Sequence, residues 1–306
     1  MIPSGMINMR QITNRLYEGE KDFQIILDLL VRLRPVPHIN DYPVKVDLEE
    51  RFASAMICEN TRLWFDDGQP IAWAFVDEFN NLLWELNDQY EETLGVEIIA
   101  WGEACVRKTL TKNESKNLDA SCREDFASRI SFLRRHGFLQ TKDRSIYMMR
   151  PLSEPIPNPT LPPGFIIRPI KGIEEAEAVA AMHRAAFGTD YMTTENRLAI
   201  MSTSEYDPSL DLLAIAPGGE IAAYCSCSIK EGEKRSMTDP VATHPQYQQR
   251  GLARALILTG MKLLKERGME SAHLGTSGEN IAMQKAAASV GFRVEHQTLW
   301  YSKEVK

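Results

Sequence analysis

From residue 252 onward, apolar and small side chains return at spacings of three and four, at Leu252, Ala255, Leu256, Thr259 and Leu263. That is the period of a helix that buries one face. The pattern stops at Gly268, a residue suited to a helix C-terminus. Ahead of the helix, an apolar strand end and a polar turn run through residues 239–251. Beyond it, residues 269–274 predict a short strand, and residues 276–280 a loop that opens a second helix at Asn280. Gly291-Phe292 then turns into a last strand through Leu299-Trp300-Tyr301.

The pattern is interrupted between 151 and 163, where six of the chain's sixteen prolines fall. Such a segment is stiff and extended, and it cannot enter a sheet interior. It predicts a domain boundary, with one domain over residues 1–150, a linker over 151–164 and a second domain over 165–306. The same order of signals stands on both sides of it, as in a duplicated unit. Met9-Arg10-Gln11-Ile12 matches Ile167-Arg168-Pro169-Ile170, the turn at Gly68 matches that at Gly218, and His136-Gly137-Phe138 matches Val290-Gly291-Phe292.

With 306 residues, 43% of them hydrophobic and 25% charged, the chain has the size and composition of a two-domain globular protein. No apolar run approaches the ~20 residues of a membrane span, and the first residues lack a signal-peptide core. The expectation is a cytoplasmic protein with no membrane partner, monomeric or homodimeric. A net charge of −7 argues against nucleic acid, whose phosphates need a basic face. Five scattered cysteines include Cys225-x-Cys227 in an apolar strand, without a second pair at zinc-ligand spacing. They read as packing, and no metal is expected.

The chemistry concentrates at the helix start, Gln248-Gln249-Arg250-Gly251-Leu252-Ala253-Arg254. A helix N-terminus leaves backbone N–H groups unpaired and carries the positive end of the helix dipole, so it receives phosphates. Gly251 admits close backbone approach, Ala253 keeps the next turn clear, and Arg250 and Arg254 add charged donors. This Gln-x-x-Gly-x-Ala loop, with the order strand, loop, helix, strand, Asn-led helix, Gly-Phe, strand, resembles the GNAT superfamily of N-acetyltransferases. The resemblance covers residues 165–306. With the repeat, it implies an α/β fold of two tandem GNAT-like domains, each a twisted, mostly antiparallel mixed sheet flanked by helices. Splayed strands would hold CoA in the second domain. The two-copy layout is similar to that of the mycothiol synthases, tandem members of the superfamily.

The resemblance also implies roles. Acetyl-CoA is the acyl donor; the backbone of Val241, Ala242 and Thr243 would pair with the pantetheine arm, residues 248–254 would take the pyrophosphate, and Asn280 would contact the arm. Asn280 is equally suited to cap its helix. Asp239 stands where relatives carry the carboxylate that accepts the amine's proton, and it also suits a turn before Pro240. The tyrosine that protonates the leaving thiolate in many relatives is replaced by Ala287; Tyr301 on the last strand is the candidate substitute, with Tyr247 in the turn as the alternative, and His244 reads as strand-end structure. At an offset of 158 the loop falls on residues 90–95, where Glu91 and Glu92 replace Arg250 and its neighbour, so the first domain is expected to bind no CoA. The expected acceptor is the amine of a small molecule, with its pocket near residues 187–192 and the face between the domains. The alternative is a CoA-binding sensor that has lost catalysis.

Overall fold

The computed structural model describes residues 12–35, 38, 41–110, 116–204, 206–229, 232 and 234–306. The repeat residues Met9, Arg10 and Gln11 lie outside them. The chain forms two units, one ending at Thr141 but including Trp300–Lys306, the other Lys142–Leu299. Among the described residues no helix is long and apolar enough to cross a membrane.

The first unit holds β1 (Ile12–Leu16), α1 (Glu20–Leu33), α2 (Lys45–Phe52), α3 (Ala55–Glu59), β2 (Thr61–Asp66), β3 (Gln69–Val76), β4 (Leu82–Leu86), α4 (Glu91–Arg107), β5 (Lys116–Arg123) and α5 (Ala127–Arg135). Strands β1 to β4 form an antiparallel meander. Ile26 and Leu29 of α1 and Leu48 of α2 bury their apolar faces against Leu63, Trp73 and Phe75 of the sheet. Helix α4 packs closely because Gly95 and Gly102 offer no side chain; a Cβ there would meet Phe132 at 2.6 Å and Leu82 at 3.0 Å.

A strand β6 (Leu139–Pro151) leads into the second unit, which holds β7 (Ile166–Pro169), α6 (Ala176–Phe187), α7 (Thr194–Met201), β8 (Asp211–Ile215), β9 (Ile221–Ile229), β10 (Arg235–Thr243), α8 (Leu252–Glu266), β11 (Ser271–Ser277) and α9 (Ile281–Ser289). The last strand, β12 (Arg293–Val305), begins here. The strand order is β12-β6-β11-β10-β9-β8-β7; β10 and β11 pair in parallel, while β6–β11, β10–β9, β9–β8 and β8–β7 are antiparallel. Alternation along the strands divides two cores. Leu212, Ala214, Cys225 and Cys227 face Leu252, Leu256 and Met261 of α8, while Leu213, Ile215 and Tyr224 face Val179 and Met182 of α6. Cys225 and Cys227 are buried free thiols in the α8 core, with Gly260 so close that a Cβ would stand 2.6 Å from the Cys227 sulfur.

The units divide at 141/142, not at the prolines expected to separate them. Residues 145–151 of β6 pair with β11 and so belong to the second sheet. The proline segment packs on that same unit: Leu152 is buried, Ile156 and Leu161 lie on its core, and the Leu152 N–H donates to the Glu270 carbonyl at 2.8 Å. Arg150 fastens it. Its buried guanidinium donates to the Pro155 carbonyl at 2.7 Å and to the Val290 carbonyl. Both Gly-Phe turns stand where the repeat puts them, after α5 and after α9, with φ of +85° at Gly137 and +94° at Gly291.

Arg150→Met keeps the stem but leaves the buried Val290 carbonyl, and the Pro155 carbonyl at its edge, without this donor. It should destabilise the protein by about 3 kcal/mol, read as a lower midpoint in urea unfolding followed by circular dichroism.

Candidate functional site

Strands β10 and β11 pair only at Arg235↔Ser271, Ser236↔Ala272 and Met237↔His273, and then part. The cause is visible on the other side of β10. Between Thr238 and Val241 its register against β9 shifts by one residue, a bulge formed at Asp239-Pro240. A bulge bends its strand away from the straight path. Past it, Val241, Ala242 and Thr243 remain paired with Cys225, Tyr224 and Ala223 of β9, while among the described residues no strand pairs with their β11-facing edge. An open edge of this kind accepts an extended ligand through backbone hydrogen bonds.

The edge leads to the loop. A 3-10 turn at Pro245–Tyr247 is capped by the His244 ring, whose Nδ1 accepts from the Gln246 N–H at 3.3 Å. Gln249 and Gly251 then adopt positive φ, +61° and +78°, which brings the chain round to start α8. Among the described residues no side chain caps this helix end, and nothing lies within 4 Å of where a Gly251 Cβ would stand. Gly251 is therefore required for its left-handed backbone, and the space above it is open. Gln248, Gln249 and Arg250 are exposed, Leu252 is buried in the core, and Ala253 and Arg254 lie half-buried in the first turn. Arg250 donates to the Gln246 carbonyl at 3.2 Å and lies over the Tyr247 ring; Arg254 meets no carboxylate among the described residues. Open N–H groups, a helix dipole and two cations suit a pyrophosphate.

The remaining expected residues divide. Asp239 is exposed on the bulge, at the point where the strands part. Asn280 caps α9, its Oδ1 accepting from the Met283 N–H at 3.0 Å, so one of its two readings is realised in the structure. Ala287 is fully buried in the α8 core. Tyr301 is fully buried too, but it falls in the segment that belongs to the first unit.

Two groups absent from the sequence reading stand on the α6 face of the second sheet. One is Tyr147, the cross-strand partner of Gly275. A Cβ on Gly275 would lie 3.5 Å from the Asp239 carboxylate and 3.7 Å from the Tyr147 ring, so both side chains close over the same point. The other is His183 of α6, whose Nδ1 is 2.6 Å from the Tyr224 hydroxyl. Burial, with Arg197 and Arg184 nearby, pushes the His183 pKa down to about 4, and burial pushes that of Tyr224 up. Both are neutral at physiological pH. Beneath them Arg197 and Asp211 form a buried ion pair, and the Tyr206 hydroxyl donates to Asp211 at 2.8 Å. Exposed Phe187 lies against His183, with ring centres 4.4 Å apart. Tyr147 was hidden from sequence reading because it precedes the prolines; the signal that could have found it is the strand that follows the first Gly-Phe turn.

The equivalent helix start of the first unit is built differently. Helix α4 begins at Glu91, so Glu91 takes the place of Leu252, three residues from the pairing given by the 158 offset. Glu91 is buried and accepts from the Arg129 guanidinium of α5, which lies 4.5 Å from the Trp84 ring centre. Glu92 pairs with Arg135 at the surface. The charge of Glu91 is thus compensated within the fold; an internal ion pair, where simple repulsion was expected, marks this end.

Over nearly its whole length the chain is similar to solved structures. It matches a GCN5-related N-acetyltransferase from Sphaerobacter thermophilus at a TM-score of 0.72 and 20% identity, covering 96% of each chain. It matches a tandem GNAT protein from the clavulanic acid biosynthesis pathway at 0.71 and 16%, covering 97% of this chain and 98% of that one. The chain has the tandem GNAT fold. Within it, residues 176–292 match the Acetyltransferase (GNAT) family. Two curated relatives are mycothiol acetyltransferases, from Streptomyces bingchenggensis (29% identical over 165 residues, 51% of this chain and 53% of that one) and Pseudarthrobacter chlorophenolicus (25% over 166 residues, 52% and 51%). The chain spans about half the length of these relatives.

His183 makes the fold sensitive to acid. In the unfolded chain its imidazole titrates near the ordinary 6.5 and in the folded chain near about 4, so on acidification the unfolded state takes up the proton first. Its contribution to stability is therefore lost as pH falls through that window. His183→Gln should flatten the fall of melting temperature between these pH values and leave the neutral-pH slope unchanged, as read by calorimetry across a buffer series.

Proposed function

We propose that the chain is an acetyl-CoA-dependent N-acetyltransferase that acetylates the primary amine of a small molecule. The observation that carries this reading is the continuous track from the open edge of β10 to the uncapped start of α8, with Asp239 exposed at its mouth. The residues fit the cosubstrate. Val241, Ala242 and Thr243 offer backbone groups to an extended amide-bearing arm, and residues 248–254 offer N–H groups and two guanidinium groups to a pyrophosphate.

Asp239 takes the proton that an alkylammonium, of pKa ~10.4, must lose before its nitrogen can attack. The acetyl thioester supplies the electrophile. A backbone N–H on the open edge stabilises the oxyanion formed on attack, and the acetyl group passes directly to the amine with no covalent enzyme intermediate. The acceptor approaches from the α6 face, where Phe187, Tyr191 and the neutral His183 stand. Relatives named as mycothiol acetyltransferases support a small-molecule acceptor over a protein tail. The first unit, whose helix start is occupied by Glu91 and Arg129, takes no part in binding the cosubstrate.

The exposed carboxylate at the strand parting favours an enzyme over a CoA-binding sensor. Thiol release from acetyl-CoA over a panel of amines tests the difference. Asp239→Ala should lower kcat by ~10²–10⁴-fold with CoA affinity retained. Gly251→Glu, which puts a like charge and a strained backbone at the phosphate position, should weaken CoA binding roughly 100-fold by calorimetry, or about 3 kcal/mol. Tight CoA binding without turnover on any amine would favour the sensor, and absence of CoA binding would remove both readings.

A further inference from the structure

With Ala287 buried in the core, the second unit lacks the family's usual donor for the departing thiolate. The geometry of its sheet supplies another. Asp239 and Gly275 each stand two residues past Met237↔His273, the last pair of the two parallel strands, so they face one another across the opening. Gly275 is paired on its other side with Tyr147 of β6. Alternation fixes where that side chain points. Ile146 and Met148 enter the α8 core, so Tyr147 lies on the opposite face, as Gly275 does between Leu274 and Thr276. The missing side chain at Gly275 leaves room for the phenol to lean over β11 toward the opening. Two atoms of the Tyr147 ring lie 3.7 and 3.9 Å from the absent Cβ, and the Asp239 carboxylate lies 3.5 Å from the same point. Behind it, the His296 ring stacks on Tyr147 with centres 4.6 Å apart and planes 14° from parallel, which limits the ring's rotation.

We propose that Tyr147 is the acid of the transfer, giving its hydroxyl proton to the CoA sulfur while Asp239 takes a proton from the amine on the other side of Gly275. This rests on the N-acetyltransferase reading. The C–N bond forms as the C–S bond breaks, and the electron pair of that bond leaves on sulfur. The ammonium's first proton passes through Asp239 to water. The nitrogen loses its second proton to solvent as the adduct collapses, and the phenolate of Tyr147 regains one from solvent. The products are the N-acetyl amine and CoA thiol, and no other reactant is needed. The glycine is part of the device, because any side chain larger than alanine would wedge between the carboxylate and the phenol.

The test has one arm that needs no acceptor. In the complex with CoA alone, a phenol that donates to sulfur favours the thiolate, so the bound thiol should titrate about one unit lower in the wild type than in Tyr147→Phe, a tenfold difference in ionisation read by thiolate ultraviolet absorbance. In turnover, Tyr147→Phe should keep the CoA dissociation constant, lose kcat by ~10²–10⁴-fold and lose the fall in rate at alkaline pH that marks phenol ionisation. Site-specific fluorotyrosine at 147, nearly isosteric, should shift that alkaline limb to lower pH without changing the melting temperature. A Tyr147→Phe protein with kcat within about twofold of wild type and an unchanged thiol titration would overturn the proposal. A wild type that binds no CoA would remove the underlying reading first, and with it this one.

Discussion

One extra residue in β10 governs the second unit. Thr238 to Val241 spans a step that β9 crosses with one residue fewer, and the surplus at Asp239-Pro240 turns β10 away from β11. A central strand normally satisfies its backbone on both sides, and leaving a buried edge open is costly. Here the edge stays open for several residues in the middle of a mixed sheet, and Pro240 brings no N–H to the bulge. The bulge also fixes the chemistry, since it places Asp239 outward at the point of parting and aims the following turn at the start of α8.

The two units show how one ground plan diverges. In the second, the helix after the parting strand begins at a glycine with positive φ, without a side-chain cap and beneath open space. In the first, the corresponding helix begins with a buried glutamate held by Arg129, itself packed on Trp84 and Phe126. A buried ion pair adds little net stability, yet breaking it is expensive because it strands a charge. That arrangement fills the position with the protein's own atoms. The Gly-Phe turns are retained in both units.

Much of the candidate site is written in neighbouring residues. Helix α8 runs from Leu252 to Glu266, close to where the periodicity puts it, and Asn280 caps the helix expected after it. Strand limits are less legible: the strand expected at 269–274 lies at Ser271–Ser277, because its bounds are set by its partner β6. The prolines mislead for a related reason. They do exclude sheet interior, yet Leu152, Ile156 and Leu161 between and beside them bury themselves on the second core, so the segment is packed where a linker was expected. Tyr301 shows the same limit, since an aromatic strand residue carries no mark of which unit its strand will complete.

By itself the sequence determined the loop, its helix and the glycine turns, because each depends on the backbone preference of a residue or on contacts within a few positions. Only the tertiary structure decided which strands lie side by side: that β10 parts from β11, that Tyr147 and Asp239 approach the same point over Gly275, and that the strand carrying Tyr301 ends in the first unit. Strand pairing joins residues far apart in the chain through backbone groups that every residue carries alike, so no local pattern encodes the choice. It is settled by which arrangement buries the most apolar surface while leaving the fewest backbone groups unpaired.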